Sequence, residues 1–140
     1  MPAAWVHIEE WRRNGERHRK DGPALIERQA DGSSRTAYFQ HDQLHREGGP
    51  ADVEVLPRGA VLTTWAVEGR LIKVEKSSPD GDLQVTFYDS EKRLHRDDGP
   101  ALIEREGGEL IEEWYEHGEL MKTQRTDADG EVTDVPIDSN

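Results

Sequence analysis

Three stretches of this sequence nearly duplicate one another: His18-Arg19-Lys20-Asp21-Gly22-Pro23-Ala24, His45-Arg46-Glu47-Gly48-Gly49-Pro50-Ala51 and His95-Arg96-Asp97-Asp98-Gly99-Pro100-Ala101. The first two lie 27 residues apart and the last two 50 apart, close to two periods, so a decayed copy is expected between them. Trp65-Ala66-Val67-Glu68-Gly69-Arg70-Leu71-Ile72-Lys73 is that copy, with Ile72-Lys73 where His-Arg stands elsewhere. A fifth copy, Trp114-Tyr115-Glu116-His117-Gly118-Glu119-Leu120-Met121-Lys122, carries Met121-Lys122 there. The chain therefore reads as five copies of a unit of roughly 25 residues, three complete and two eroded.

A position not used to set this register tests it. Seven residues before each anchor stand Trp11, Tyr38, Trp65, Tyr88 and Trp114, all aromatic in a chain that is only 6% aromatic. One residue before the anchor, Leu44, Leu71, Leu94 and Leu120 recur, with Arg17 the exception.

The unit's turn chemistry is legible. Asn14-Gly15 is a two-residue hairpin signal, because both central positions of that turn need φ > 0. Asp21-Gly22-Pro23 and Asp98-Gly99-Pro100 are breaks, since proline cannot donate to a ladder. After the break Ala51, Val53 and Val55 alternate with Asp52 and Glu54, the period of a strand with one buried face. A second turn follows at Asp31-Gly32, Arg58-Gly59, Asp80-Gly81, Gly107-Gly108 and Asp129-Gly130. No segment has helical periodicity. These signals predict an all-β fold, tandem β-hairpin repeats forming an elongated twisted antiparallel sheet, with the aromatics stacked as a ladder. One domain is expected over residues 1–126, with copies three and five degenerate, followed by a polar, frayed tail over 127–140.

Composition agrees with a thin sheet. Hydrophobic residues are 33% and charged residues 34%, too apolar-poor for a thick core. With no cysteine, a disulfide framework and thiolate chemistry are excluded. No signal-peptide pattern opens the chain and no apolar run approaches the roughly 20 residues of a membrane span, so a cytoplasmic protein is expected. The net charge of −12 is unevenly placed. Residues 1–50 carry 8 basic and 8 acidic side chains, while residues 101–140 carry 3 and 12. Such a chain repels nucleic-acid backbones and anionic membranes, which need Lys/Arg clusters.

Trp11-Arg12-Arg13-Asn14-Gly15-Glu16-Arg17-His18, supported by Trp114 to Gly118, resembles the MORN repeat and its bacterial and phage variants. The resemblance covers roughly residues 5–125 and implies a scaffold of consecutive hairpins. The chain departs from the family where glycine follows the histidine: here stand Arg19, Arg46 and Arg96. Bacterial variant-repeat proteins include presumed antitoxins and immunity proteins, which implies an acidic inhibitor more readily than the phospholipid binding linked to other relatives.

The conspicuous side chains divide between scaffold and surface. A metal needs several ligands around one point, whereas stacked hairpins set His18 and His45 roughly 10 Å apart and His95 farther still. The motif residues His18, Arg19, Asp21, Gly22, Pro23, His45, Arg46, Gly49, Pro50, His95, Arg96, Asp98, Gly99 and Pro100 are accordingly read as structural. Each histidine is expected to pack on the Gly-Pro turn and each arginine to pair with a nearby carboxylate. No serine or threonine stands in a nucleophile motif, and consecutive carboxylates such as Glu112-Glu113 point to opposite faces of a strand, so neither enzyme activity nor a cofactor is expected. The acidic C-terminal third holds the candidate binding residues Glu104, Glu106, Glu109, Glu112, Glu113, Glu116 and Glu119. They are read either as a solvated, aggregation-resistant edge or as a patch that steers onto a protein with a basic surface, such as a nuclease or a nucleic-acid-binding protein thereby neutralised. The rival readings are assembly through sheet edges and a small-ligand or glycan site on the aromatic ladder.

Overall fold

A computed structural model of the chain describes residues 6–136. Those residues contain no helix, and so none long and apolar enough to cross a membrane. Fifteen strands occur among them: β1 (Val6–Glu10), β2 (Arg12–Arg13), β3 (Glu16–Arg17), β4 (Leu25–Gln29), β5 (Ser34–Ala37), β6 (Phe39–Gln40), β7 (Gln43–Leu44), β8 (Asp52–Val55), β9 (Val61–Val67), β10 (Arg70–Ser77), β11 (Leu83–Phe87), β12 (Leu102–Glu106), β13 (Glu109–Glu116), β14 (Glu119–Thr126) and β15 (Val132–Val135). The fold is all-β and built from consecutive antiparallel hairpins, as the turn spacing indicates.

Two compact units divide the chain, residues 1–71 and 72–140, and the boundary between them falls inside the eroded third copy. In the first unit the ladder order is β1-β4-β5-β8-β9, with β2-β3 and β6-β7 as separate two-stranded ribbons. In the second unit the order is β10-β11-β12-β13-β14-β15. Residues 132–135, expected in a frayed tail, instead pair with β14 as an edge strand, Val135 opposite Thr123 and Val132 opposite Thr126. Val132 and Val135 stand three apart and show no period-two alternation to be seen in the sequence, but the Asp129-Gly130 turn supplies the reversal. Residues 137–140 of that tail, and 1–5 at the other end, lie outside the described residues.

The Gly-Pro break decides what each copy builds. Where it is present, after His18, His45 and His95, the chain leaves the ladder and the aromatic segment forms a short ribbon or, in copy four, only the Tyr88–Leu94 bridge. Copies three and five lack it, so strands run on unbroken for seven and eight residues in β9 and β10 and eight each in β13 and β14. Proline's missing N–H makes the difference.

The turns fall into two kinds. Asn14-Gly15 (φ 52° and 81°), Glu68-Gly69 and His117-Gly118 are two-residue turns with both residues left-handed, the form that matches strand twist. Of the second turns, Gly107-Gly108 (φ 58° and 85°) is of this same two-residue kind, and the other four close on a wider frame. At Gln29–Ser33, Leu56–Ala60, Ser78–Asp82 and Asp127–Glu131 the first N–H donates to the carbonyl four residues on, at 2.8–3.0 Å. A glycine such as Gly32 (φ 90°) takes the left-handed position before the chain turns back.

The core is a row of small residues. Ala24, Ala37, Ala51 and Ala101 are 0% exposed and Ala66 2%. Within the first unit Ala24, Leu25, Ala37 and Phe39 cluster, with Trp11 and Leu44 packed against them. Leu25 is the largest side chain that is fully buried, so most sheet positions are half-buried on both faces. The buried-face expectation for Val53 and Val55 is accordingly corrected: they are half-buried, while Asp52 on the opposite face is 9% exposed.

Candidate functional site

The arginine of each complete copy occupies a slot. The guanidinium carbon lies 4.0 Å from the Trp11 ring centre for Arg19, 4.1 Å from Tyr38 for Arg46 and 4.1 Å from Phe87 for Arg96. On its other side sits the glycine of the break: a Cβ built on Gly22, Gly49 or Gly99 would stand 3.0–3.1 Å from that carbon. These glycines therefore serve space, not a left-handed φ. The Nη1 of each arginine donates to the carbonyl of Pro23, Pro50 or Pro100, at 3.2–3.3 Å. The expected carboxylate pairing holds only for Arg96, whose Nε is 3.2 Å from Asp98; among the described residues Arg19 and Arg46 have none within 4 Å. A ring face eight residues back and a carbonyl four residues on take that role.

The Nδ1 of each histidine serves the next copy. Nδ1 of His18, His45 and His95 accepts the backbone N–H of His41 (3.2 Å), Glu68 (2.9 Å) and His117 (3.0 Å). Those three donors are the first left-handed residues of the following hairpin turns. An accepting Nδ1 places the hydrogen on Nε2, and in His95 that nitrogen donates to Asp97 at 2.8 Å.

Copy four shifts by one residue. Phe87, not Tyr88, makes the backbone bonds that Trp11 and Tyr38 make, donating to the Ala101 carbonyl at 2.8 Å and accepting from His95 at 3.0 Å. The reason is its hairpin loop, which has three residues, Ser90-Glu91-Lys92, closed by Asp89 N–H to the Arg93 carbonyl (2.9 Å) with Lys92 left-handed. The aromatic therefore stands eight before the anchor. Consecutive Phe87-Tyr88 was the available signal. Three of the five aromatics, Trp11, Tyr38 and Trp114, are each faced by a cation, Lys122 serving Trp114 at 4.8 Å.

Two polar clusters had no sequence signature. In the first unit Arg35 grips Asp52 with Nε at 3.1–3.2 Å and Nη2 at 2.8 Å. That bond raises the arginine's pKa against the opposing effect of burial. In the second unit the Asp89 carboxylate is 7% exposed, and burial by itself pushes its pKa up. Bonds from His117 Nδ1 (2.9 Å), Arg93 Nε (2.9 Å) and the backbone N–H groups of Glu91 and Arg93 outweigh burial and hold it well below the carboxylate range. Stacked against His117 at 4.1 Å is His95.

The seven candidate glutamates do not form one patch. Cross-strand register puts Glu104 opposite Ile111, Glu106 opposite Glu109 and Leu102 opposite Glu113. Glu104, Glu106, Glu109 and Glu113 thus share a face, while Glu112, opposite Ile103, lies on the other. Glu116 and Glu119 pair across the His117-Gly118 turn. A shallow cleft of about 180 Å³ between Glu104, Glu106, Glu109, Ile111 and Arg125 marks the shared face. Its carboxylates are partly engaged: Gln84 donates to Glu104 at 2.8 Å, Arg125 lies 3.6 Å from Glu109 and the Tyr115 hydroxyl donates to Glu113 at 2.9 Å. Burial first, and then that bond to Glu113, push the Tyr115 phenol's pKa up.

Like charges stand directly opposite one another at Glu106–Glu109 and Glu116–Glu119, an arrangement that costs a sheet stability. Charge follows the units as well: residues 1–71 carry 10 basic and 11 acidic side chains, net −1, and residues 72–140 carry 8 and 19, net −11. Compared with known proteins, the chain matches no family model and no curated sequence.

Proposed function

We propose that the chain is a non-enzymatic, MORN-like protein-binding module that docks the Glu104–Glu106–Glu109–Glu113 face on a basic protein surface. The observation that carries this is the opposition of Glu106 to Glu109 on that face. A sheet built only for stability gains from opposite charges at such a pair and loses from like ones. Arg125 offsets only the Glu109 side of that opposition, and a local arrangement that costs the fold stability is a mark of a functional surface. An acidic face also steers a basic partner into encounter, which suits an inhibitor or immunity-type protein that neutralises a phage or bacterial toxin or a nucleic-acid-binding protein. The glycan-platform alternative loses ground because Arg19 and Arg46 already cover the Trp11 and Tyr38 rings.

Affinity capture from bacterial lysate at low and high ionic strength tests the proposal, with the double variant Glu106→Lys, Glu109→Lys as control. A stoichiometric basic partner is expected at low salt, lost at high salt and lost with the variant. Recovery of nothing at low salt, or of a partner indifferent to the variant, would sink it.

A further inference from the structure

We propose that the chain self-associates as a two-fold dimer through antiparallel pairing of β1 with β1 of a second copy. Among the described residues β1 pairs only with β4, and Val6 and Ile8 on it are 53% and 56% exposed. The Trp11 N–H donates to the Ala24 carbonyl at 2.9 Å, so by alternation Glu9 and His7 spend their backbone groups on β4. Val6, Ile8 and Glu10 turn theirs to the open edge. A second β1 centred on Ile8 satisfies all of them: Ile8 meets Ile8, Val6 meets Glu10, and on the opposite face His7 meets Glu9. His7 and Glu9 already attract each other within one chain, at 3.3 Å, and the two-fold crosses those pairs without setting like charges opposite.

The other open edge fits worse. Asp127 N–H donates to the Glu131 carbonyl at 2.9 Å, which leaves Val132 and Asp134 facing outward on β15. Head-to-tail pairing that sets Ile8 against Val132 brings Glu9 onto Glu131, like charges in register. The alternative register sets Ile8 against Asp134. Pairing β15 with itself joins two units of net −11, whereas β1 belongs to the unit of net −1. Five residues of strand make a small interface, at the low end for specific contacts, so the dimer is concentration-dependent.

Two measurements on the full chain test this. Sedimentation over a wide concentration range is expected to show monomer and dimer for the wild type, monomer alone for Ile8→Lys, and an unchanged dimer for Val132→Lys. Ile8 is exposed, so the lysine variant keeps the fold, which circular dichroism verifies. The chain has no cysteine, and two hydrogen-bonded partners across a strand pair stand about 5.5 Å apart, within disulfide reach. Mild oxidation is therefore expected to convert Ile8→Cys, and not Val132→Cys, into covalent dimer. A wild type that stays monomeric at the highest concentration overturns the proposal. So does loss of the dimer with Val132→Lys, growth beyond dimers, or failure of Ile8→Cys to cross-link.

Discussion

Arg46 lies between the Tyr38 ring and the bare face of Gly49, with the Pro50 carbonyl fixing its far end. Because that end is held, a methyl at residue 49 has nowhere to push it. Gly49→Ala is expected to destabilise by about 1 kcal/mol in urea unfolding, the scale of a displaced cation–π contact and a charged hydrogen bond. In an Arg46→Ala background the same change should be neutral or stabilising, since only the entropy gain in the unfolded chain remains; equal effects in both backgrounds would refute the slot. Leu25, the largest fully buried side chain, is the other sensitive residue, and Leu25→Ala is expected to cost about 2–4 kcal/mol. Acid should act through Asp89, whose carboxyl is held low in the folded state, and through Asp31, lowered by the Ser33 hydroxyl and N–H. A depressed pKa means that their stabilisation is complete above the unfolded value of ~4 and drains away as pH falls below it. The thermal midpoint should decline over that range, less steeply in Asp89→Asn.

Among elements, the hairpin turns are the adjustable part. Glu68 holds a left-handed φ of 52° at the first position of its turn, where Asn14 stands in copy one. Asparagine tolerates that region better, so Glu68→Asn should stabilise by about 0.5–1 kcal/mol while keeping the N–H that His45 accepts. The β12–β13 pair offers the complementary trade. Glu109→Gln removes the like-charge opposition to Glu106 and should raise stability by a few tenths of a kcal/mol while weakening partner capture. A gain in stability with capture unchanged would leave the acidic face without its assigned role.

For the molecule as a whole, charge is the dominant lever. The second unit's net −11 repels itself, and added salt screens that repulsion. Hydrogen exchange in residues 72–136 should therefore slow with rising ionic strength more than in residues 6–71. A thin alanine core supports this sensitivity, because little apolar burial is available to mask changes in electrostatic energy.

The repeat period, the hairpins and the all-β class were legible because they rest on local chemistry: Asn-Gly and Asp-Gly permit left-handed φ, and Gly-Pro ends a ladder wherever it stands. Copies three and five read only as eroded, and the structure shows that their missing break lets the strands run on. Partners separated along the chain were not legible. Arg19 and Arg46 read as carboxylate partners by proximity in sequence, yet the fold returns them to rings eight residues back. His45 reaches Glu68 in the next copy, and Asp52 is buried because Arg35 crosses the strand pair to meet it. One extra loop residue in copy four exchanged Tyr88 for Phe87, and strand alternation divided seven glutamates between two faces and a turn. Sequence by itself determined where the chain turns, since a turn needs only its own residues. Tertiary structure decided which side chains meet, because register and face exist only once strands have paired.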